Sequence, residues 1–312
     1  MFAARNQSGT DAAWGIVLVM ISAALWGTTG VATRLVHTAD AVPPEVFGFA
    51  RAAIATPAIF LAVAIGRTPG ENLGSRPGLL HLAGFGLLAG IFQLCLFKCF
   101  ALLGIGPTVF VTVCLPVVLA AGWTSLRGDG ISGAATGALL LSIVGVACFG
   151  FGAQERQAGN RSVYLGMTLA IVASVAWLLL AEMTHRLGRR FAPLKVSGYG
   201  LAATALVLAP PMLASMTAWP AWDAGDPDWL LALLLIYLGI GPTALAYICY
   251  CHGMARSRSA AVGLIATMLE PAVATGLGVL LLHDNPTPLE IAGSLLLIAA
   301  MLILWLDERR RC

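Results

Sequence analysis

A glutamate followed by a proline, Glu270 and Pro271, stands inside the apolar stretch TMLEPAVATG. Hydrocarbon rejects a carboxylate, at roughly 2.5 to 3.5 kcal/mol for a residue at the centre of a membrane-inserted helix. The proline removes a backbone donor and bends a helix. Two basic residues, Arg51 and Lys98, also lie in apolar runs, and His81 begins another. A carboxylate opposite a cation suits a ligand that carries both an ammonium and a carboxylate. Aromatic residues complete the set: Trp26 and Trp177, with Tyr247 and Tyr250 in the eighth span. The two tryptophans can line a cavity and stack on a flat ligand.

Each of these residues also has a plainer reading. Glu270 either touches a ligand path or makes a buried hydrogen bond to a neighbouring helix. Arg51 and Lys98 either face that path or extend their stems so that the charge reaches the interface. His81 either titrates against a carboxylate or packs as a satisfied histidine, and each tryptophan either lines the cavity or packs. Glu182 and His185 are read as interfacial. Pro116 and Pro271 are the expected helix hinges, leaving the carbonyls of Thr112 and Thr267 without their usual donors.

The elements that position these groups follow from composition. Of 312 residues, 59% are hydrophobic and only 11% charged, with a mean hydropathy of +0.87. A water-soluble domain carries about a quarter charged residues. A spanning helix needs roughly 20 mostly apolar residues. Ten such stretches are expected, at about 14–34, 44–66, 79–102, 107–125, 133–151, 163–184, 195–216, 229–254, 258–281 and 288–306. The first apolar run, Trp14 to Val31, is too long and too poorly flanked for a secretory signal and reads as the first span.

Thirteen of the 18 Lys and Arg residues fall on one side if the N-terminus is cytoplasmic, against two on the other, Arg156 and Arg161. Positive residues stay inside, so both termini are expected in the cytoplasm. The loop MTAWPAWDAGDPDW, with acids but no bases and with Trp219, Trp222 and Trp229, fits the outer interface. Six of seven cysteines (Cys95, Cys99, Cys114, Cys148, Cys249, Cys251) lie in apolar runs as small hydrophobes, and none has zinc-site spacing.

The chain repeats itself. GIVLVMISAALW (Gly15 to Trp26) aligns with GMTLAIVASVAW (Gly166 to Trp177) at an offset of 151. At an offset of 155, GFG (Gly84–Gly86) pairs with GIG (Gly239–Gly241), TVCLP with TMLEP, and Asp129 with Asp284. The expected organisation is a tail at 1–13, a five-helix repeat at 14–151, a loop at 152–162, a second five-helix repeat at 163–306 and a basic tail at 307–312. Five is odd, so the repeats insert with opposite topology, and inverted repeats commonly build a substrate path near the midplane. Ser22, Trp26, Thr29, Gly30, Thr33 and Arg34 form one weakly polar face of the first span, which should face protein or water. Gly86-x-x-x-Gly90 predicts close helix packing.

Trp26, PEVFGFAR with Arg51, and LEP in the ninth span closely resemble the EamA family of the drug/metabolite transporter superfamily, over essentially the whole chain. That resemblance implies an all-helical ten-span membrane protein and a secondary transporter, most like bacterial exporters of amino acids, aromatic ones included. Other cargo of the superfamily, such as cationic compounds or purines, is the alternative. Family members often carry Gly-Glu after the fourth and ninth helices. Here those positions read LRGD and LLHD, ending in Asp129 and Asp284. Phosphate-loop, zinc-protease and nucleophile-elbow motifs are missing from the sequence, so no cofactor, no ATP-driven step and no membrane enzyme is expected. The expected partners are a small-molecule substrate and the bilayer of a bacterial inner membrane. Nucleic acid is not expected, and the chain is expected as monomer or homodimer.

Overall fold

The computed structural model describes residues 9–35, 42–65, 76–103, 105–126, 132–153, 163–216 and 229–310. Among them, all regular structure is helical. The chain runs through α1 (Gly9–Arg34), α2 (Pro44–Ile65), α3 (Arg76–Leu103), α4 (Ile105–Leu126), α5 (Gly133–Ala153), α6 (Val163–Arg190) and α7 (Pro193–Met216). It continues through α8 (Trp229–Gly239), a π-helical turn (Ile240–Leu245), α9 (Ala246–Arg256), α10 (Ala260–Thr267), α11 (Glu270–Leu282) and α12 (Pro288–Arg310). Much of the N-terminal tail, most of the 152–162 loop, Trp219, Trp222, Arg127, Asp129, Arg156 and Arg161 lie outside the described residues.

Local chemistry sets the helix starts. α2, α7 and α12 each open on a proline, whose fixed φ and missing N–H suit the first helical turn. At α12 a capping box forms: the Thr287 amide donates to Glu290 Oε2 at 2.7 Å, and the Glu290 amide donates to Thr287 Oγ1 at 3.3 Å. Ser259 caps α10 by accepting from the Val262 amide. α11 ends on His283 in the left-handed conformation, and the Asp284 amide closes back onto the Gly278 carbonyl at 3.1 Å. Inside the helices, Thr56, Thr112, Thr184 and Thr204 donate to the carbonyl four residues earlier, which satisfies each hydroxyl without water.

Among the described residues, seven helical stretches are long and apolar enough to cross a membrane: Asp11–Arg34, Glu45–Ile65, Tyr164–Arg190, Pro193–Ser215, Trp229–Arg256, Ala260–Leu282 and Pro288–Asp307. Shorter apolar stretches at Leu80–Leu96, Val111–Trp123 and Gly133–Cys148 fall where the third to fifth spans were expected. Large apolar side chains such as Leu61, Ile65, Leu80, Leu206 and Leu280 face outward. Such an outer surface belongs in lipid, and helices are the elements that satisfy every backbone group there. This is a multi-pass membrane protein.

Packing runs across the two halves. α1 lies against α9 and α11, while α6 lies against α3 and α4; α2 pairs with α7, and α5 with α12. Small residues let the backbones approach. A Cβ on Gly86 of α3 would sit 2.5 Å from the Ala203 backbone of α7, and one on Gly253 of α9 would sit 2.7 Å from the Gly15 carbonyl of α1. The Gly86–Gly90 pattern thus sits at a helix contact. The expected polar face of α1 is inward only in part: Ser22 is buried and donates to the Ala246 carbonyl at 2.6 Å, whereas Gly30 and Arg34 are exposed.

Candidate functional site

The glutamate and proline of TMLEP do not kink a continuous helix. The ninth expected span is two helices, α10 and α11, separated by a turn at Met268 and Leu269. Pro271 sits in the first turn of α11, where proline is favoured, and Glu270 heads that helix. Unpaired N–H groups and the aligned peptide dipoles make this end positive, so a carboxylate is stabilised there. A Cβ on Gly27 of α1 would lie 2.9 Å from the Glu270 carbonyl, so the break is packed directly against α1. Pro116 is different: it is buried within an uninterrupted α4. The two prolines match in sequence and differ in structure.

A second interruption lies in the eighth span. Pro242 has no N–H, so the Leu238 carbonyl lacks the donor that an α-helix would supply four residues on. The backbone widens into the π turn Ile240–Leu245, and the Thr243 hydroxyl donates to the Leu238 carbonyl at 2.7 Å. Thr243 Oγ1 also accepts from Arg51 Nε at 3.0 Å. Close approach of α2 makes this reach possible, since a Cβ on Gly239 would meet Ile54 at 2.5 Å. Thr243 carried no signal in the sequence beyond its neighbour Pro242. A lone threonine in an apolar run is ordinarily satisfied by its own helix.

Arg51 and Glu270 are both only partly exposed and lie deep among the helices. They make no direct ion pair with each other, yet each charge acts on the other, and Arg51 also acts on Tyr247.

Four aromatic rings named from the sequence converge beside them. Trp26 of α1 meets Trp177 of α6 at 5.6 Å between centroids, Tyr247 of α9 at 5.8 Å and Tyr250 at 5.4 Å. Trp177 stacks on Tyr250 at 5.5 Å and on Phe92 of α3 at 4.9 Å. Phe85 reaches Tyr247 at 6.4 Å. Tyr250 is wholly buried, and its hydroxyl has no hydrogen-bond partner among the described residues. The buried Thr29 hydroxyl on the polar face of α1 is likewise unpartnered. Phe85 and Phe92 were not singled out from the sequence. Phe92 pairs with Tyr247 at the 155-residue offset, and that correspondence is the signal that points to it.

His81 and Lys98 lie elsewhere: both are exposed on α3 and neither joins the cluster. Arg34 and Asp284, at the ends of α1 and α11, form a two-pronged ion pair at 2.7 and 2.8 Å. His185 is buried, with Nδ1 2.7 Å from the Met254 carbonyl, rather than interfacial. Glu182 pairs with Arg186 one turn along α6. Among the described residues, no group of three or more His, Cys, Asp or Glu side chains could hold a metal ion.

One solved crystal structure shares this fold with a TM-score of 0.75, covering 95% of this chain and 98% of its own, at 22% identity. That likeness is one of fold. No curated protein sequence matches this chain. Residues 164–306, from α6 to α12, match the EamA-like transporter family.

Proposed function

We propose that this protein is a secondary transporter that exports small amphipathic metabolites across a bacterial inner membrane. Amino acids are its favoured cargo, aromatic and neutral ones foremost, and both termini lie in the cytoplasm. The observation that carries this reading is the convergence of Trp26, Trp177, Tyr247 and Tyr250 beside a guanidinium and a carboxylate. A zwitterion with a flat side chain presents a carboxylate to Arg51, an ammonium to Glu270 and a ring to the aromatic wall.

Movement through a central path by alternating access is part of the proposal. Its support is the exchange of contacts between the halves. Trp26 packs on Tyr247, and its repeat partner Trp177 packs on Phe92, the repeat partner of Tyr247. Two halves related by a twofold axis pair their helices in this crossed manner. The breaks at Pro242 and at Met268–Leu269 give the second half its flexible joints, with Pro116 and Pro271 at the matching positions of α4 and α11.

The test is counterflow. Purified protein in liposomes loaded with unlabelled amino acid is expected to accumulate labelled phenylalanine, tyrosine or tryptophan transiently, with saturation. Folded protein that shows no counterflow for any amino acid would overturn the cargo. Flux without saturation or counterflow would indicate a pore in place of a carrier.

A further inference from the structure

We infer that Thr243 is a positioning residue that locks the guanidinium of Arg51, so that its two terminal nitrogens face the path as a fork for a carboxylate. The inference rests on the proposed ligand path and names the anionic end of its cargo.

The argument begins at Pro242. Because Pro242 cannot donate to the Leu238 carbonyl, the Thr243 hydroxyl gives that carbonyl its only proton. The hydroxyl oxygen is then an acceptor toward everything else, and Arg51 Nε fills that role at 3.0 Å. The polarity of the relay is forced in one direction: Arg51 to Thr243 to Leu238. Thr243 is itself buried, and the tight Gly239–Ile54 contact fixes α2 against the π turn. A guanidinium is planar, so holding Nε in this way restricts the whole plane. Nη1 and Nη2 have no hydrogen-bond partner among the described residues, and Arg51 keeps part of its surface accessible. Two parallel N–H donors from one plane match the two oxygens of a carboxylate. Among the described residues the Glu270 carboxylate makes no ion pair with Arg51, so it does not occupy the fork.

The repeat gives this arrangement no reason of its own. At the 155-residue offset, Thr243 corresponds to Leu88 and Pro242 to Leu87, and α3 runs unbroken through both. A scaffold that needed only to be symmetric would not have placed the Thr–Pro pair in one half.

The test uses the full-length protein in detergent and reads ligand-induced thermal stabilisation. The probes are phenylalanine, 3-phenylpropionate and its uncharged amide, 3-phenylpropanamide. Wild type is expected to be stabilised by the two carboxylates at concentrations roughly tenfold or more below those the amide requires. Thr243→Val keeps the shape and removes the acceptor, and is expected to abolish that preference while leaving the response to the amide within about twofold. Thr243→Ser should restore the preference. Arg51→Lys, which keeps a charge but loses the fork, should behave like Thr243→Val. Should Thr243→Val not fold, the Thr243→Ser and Arg51→Lys pair carries the test. The inference is overturned if wild type shows no preference for carboxylates. It is equally overturned if Thr243→Val weakens carboxylates and amide alike, or if Arg51→Lys retains full preference. Counterflow of amino acids by wild type reports separately on the transport reading. Carboxylate preference without counterflow would uphold the role of Thr243 and overturn the cargo.

Discussion

The coupling between Arg51 and Glu270 can be measured by a double-mutant cycle. Glu270→Gln and Arg51→Gln each neutralise one charge and keep most of the side-chain shape. The two groups do not meet within the 4.0 Å of a direct ion pair, yet they act on one another. Taking a separation of roughly 6 Å and an effective dielectric of about 20, Coulomb's law gives about 3 kcal/mol. Each single variant loses this attraction and leaves the other charge buried without its counter-charge. Each also escapes the desolvation cost of the charge it removes, so the single effects alone are poor readouts. The cycle cancels those separate costs and isolates the pair. Thermal unfolding of wild type, both single variants and the double variant, at one scan rate in one detergent, supplies the four corners. For a chain of this size about 1 kcal/mol corresponds to a Tm shift of roughly 2 to 4 °C. The double variant should therefore melt about 6 to 12 °C above the sum of the single effects. Additivity to within about 2 °C would refute the reasoning, because it would mean that the two charges are separately solvated and share no site.

Two further predictions concern the scaffold. Gly86→Ala forces a methyl group to 2.5 Å from the Ala203 backbone and should destabilise by about 1 to 3 kcal/mol, whereas Gly137→Ala, with nothing within 4 Å of the added carbon, should melt no lower than wild type. Equal losses for both would show that α3 and α7 are not in close contact. The Arg34–Asp284 pair is substantially exposed, at 59% and 36%, so Arg34→Gln should lower the Tm by no more than about 2 to 4 °C. A much larger drop would show that the pair is shielded from solvent.

How much of this was legible from the chain depends on what kind of information each residue carries. Glu270 and Arg51 were visible because a charge in an apolar run is conspicuous whatever the fold. The four aromatic residues were visible because Trp26 and Trp177 match at the repeat offset, and Tyr247 and Tyr250 sit one turn apart in one span. Lys98 and His81 satisfied the same rule as Arg51, yet they lie on the outside of α3. Apolar residues occupy both the inner and the outer side of that helix, so the pattern does not reveal which side turns inward. Pro271 was read as a kink because proline in a long apolar run suggests one continuous helix. The structure makes it a helix start, since the chain already turns at Met268 and Leu269. The π turn was not legible at all: it depends on how Pro242, Thr243 and Arg51 meet in three dimensions.

The contrast between the halves explains why the polar groups matter more than their number suggests. Helix pairing is shared between the halves: α1 with α9 answers to α6 with α3, and α1 with α11 answers to α6 with α4. The aromatic contacts share it as well. The polar groups do not, since Glu270 corresponds to Leu115 and Thr243 to Leu88 at the same offset. Leucine fills both equivalent positions in the first half, so helix packing alone does not call for a carboxylate or a threonine there. One of these two departures, Thr243, bonds Arg51 directly, while Glu270 heads α11 without an ion pair to it among the described residues. On the proposed function, a ligand with an anionic end and a cationic end accounts for this difference, because the groups that meet its two ends must differ.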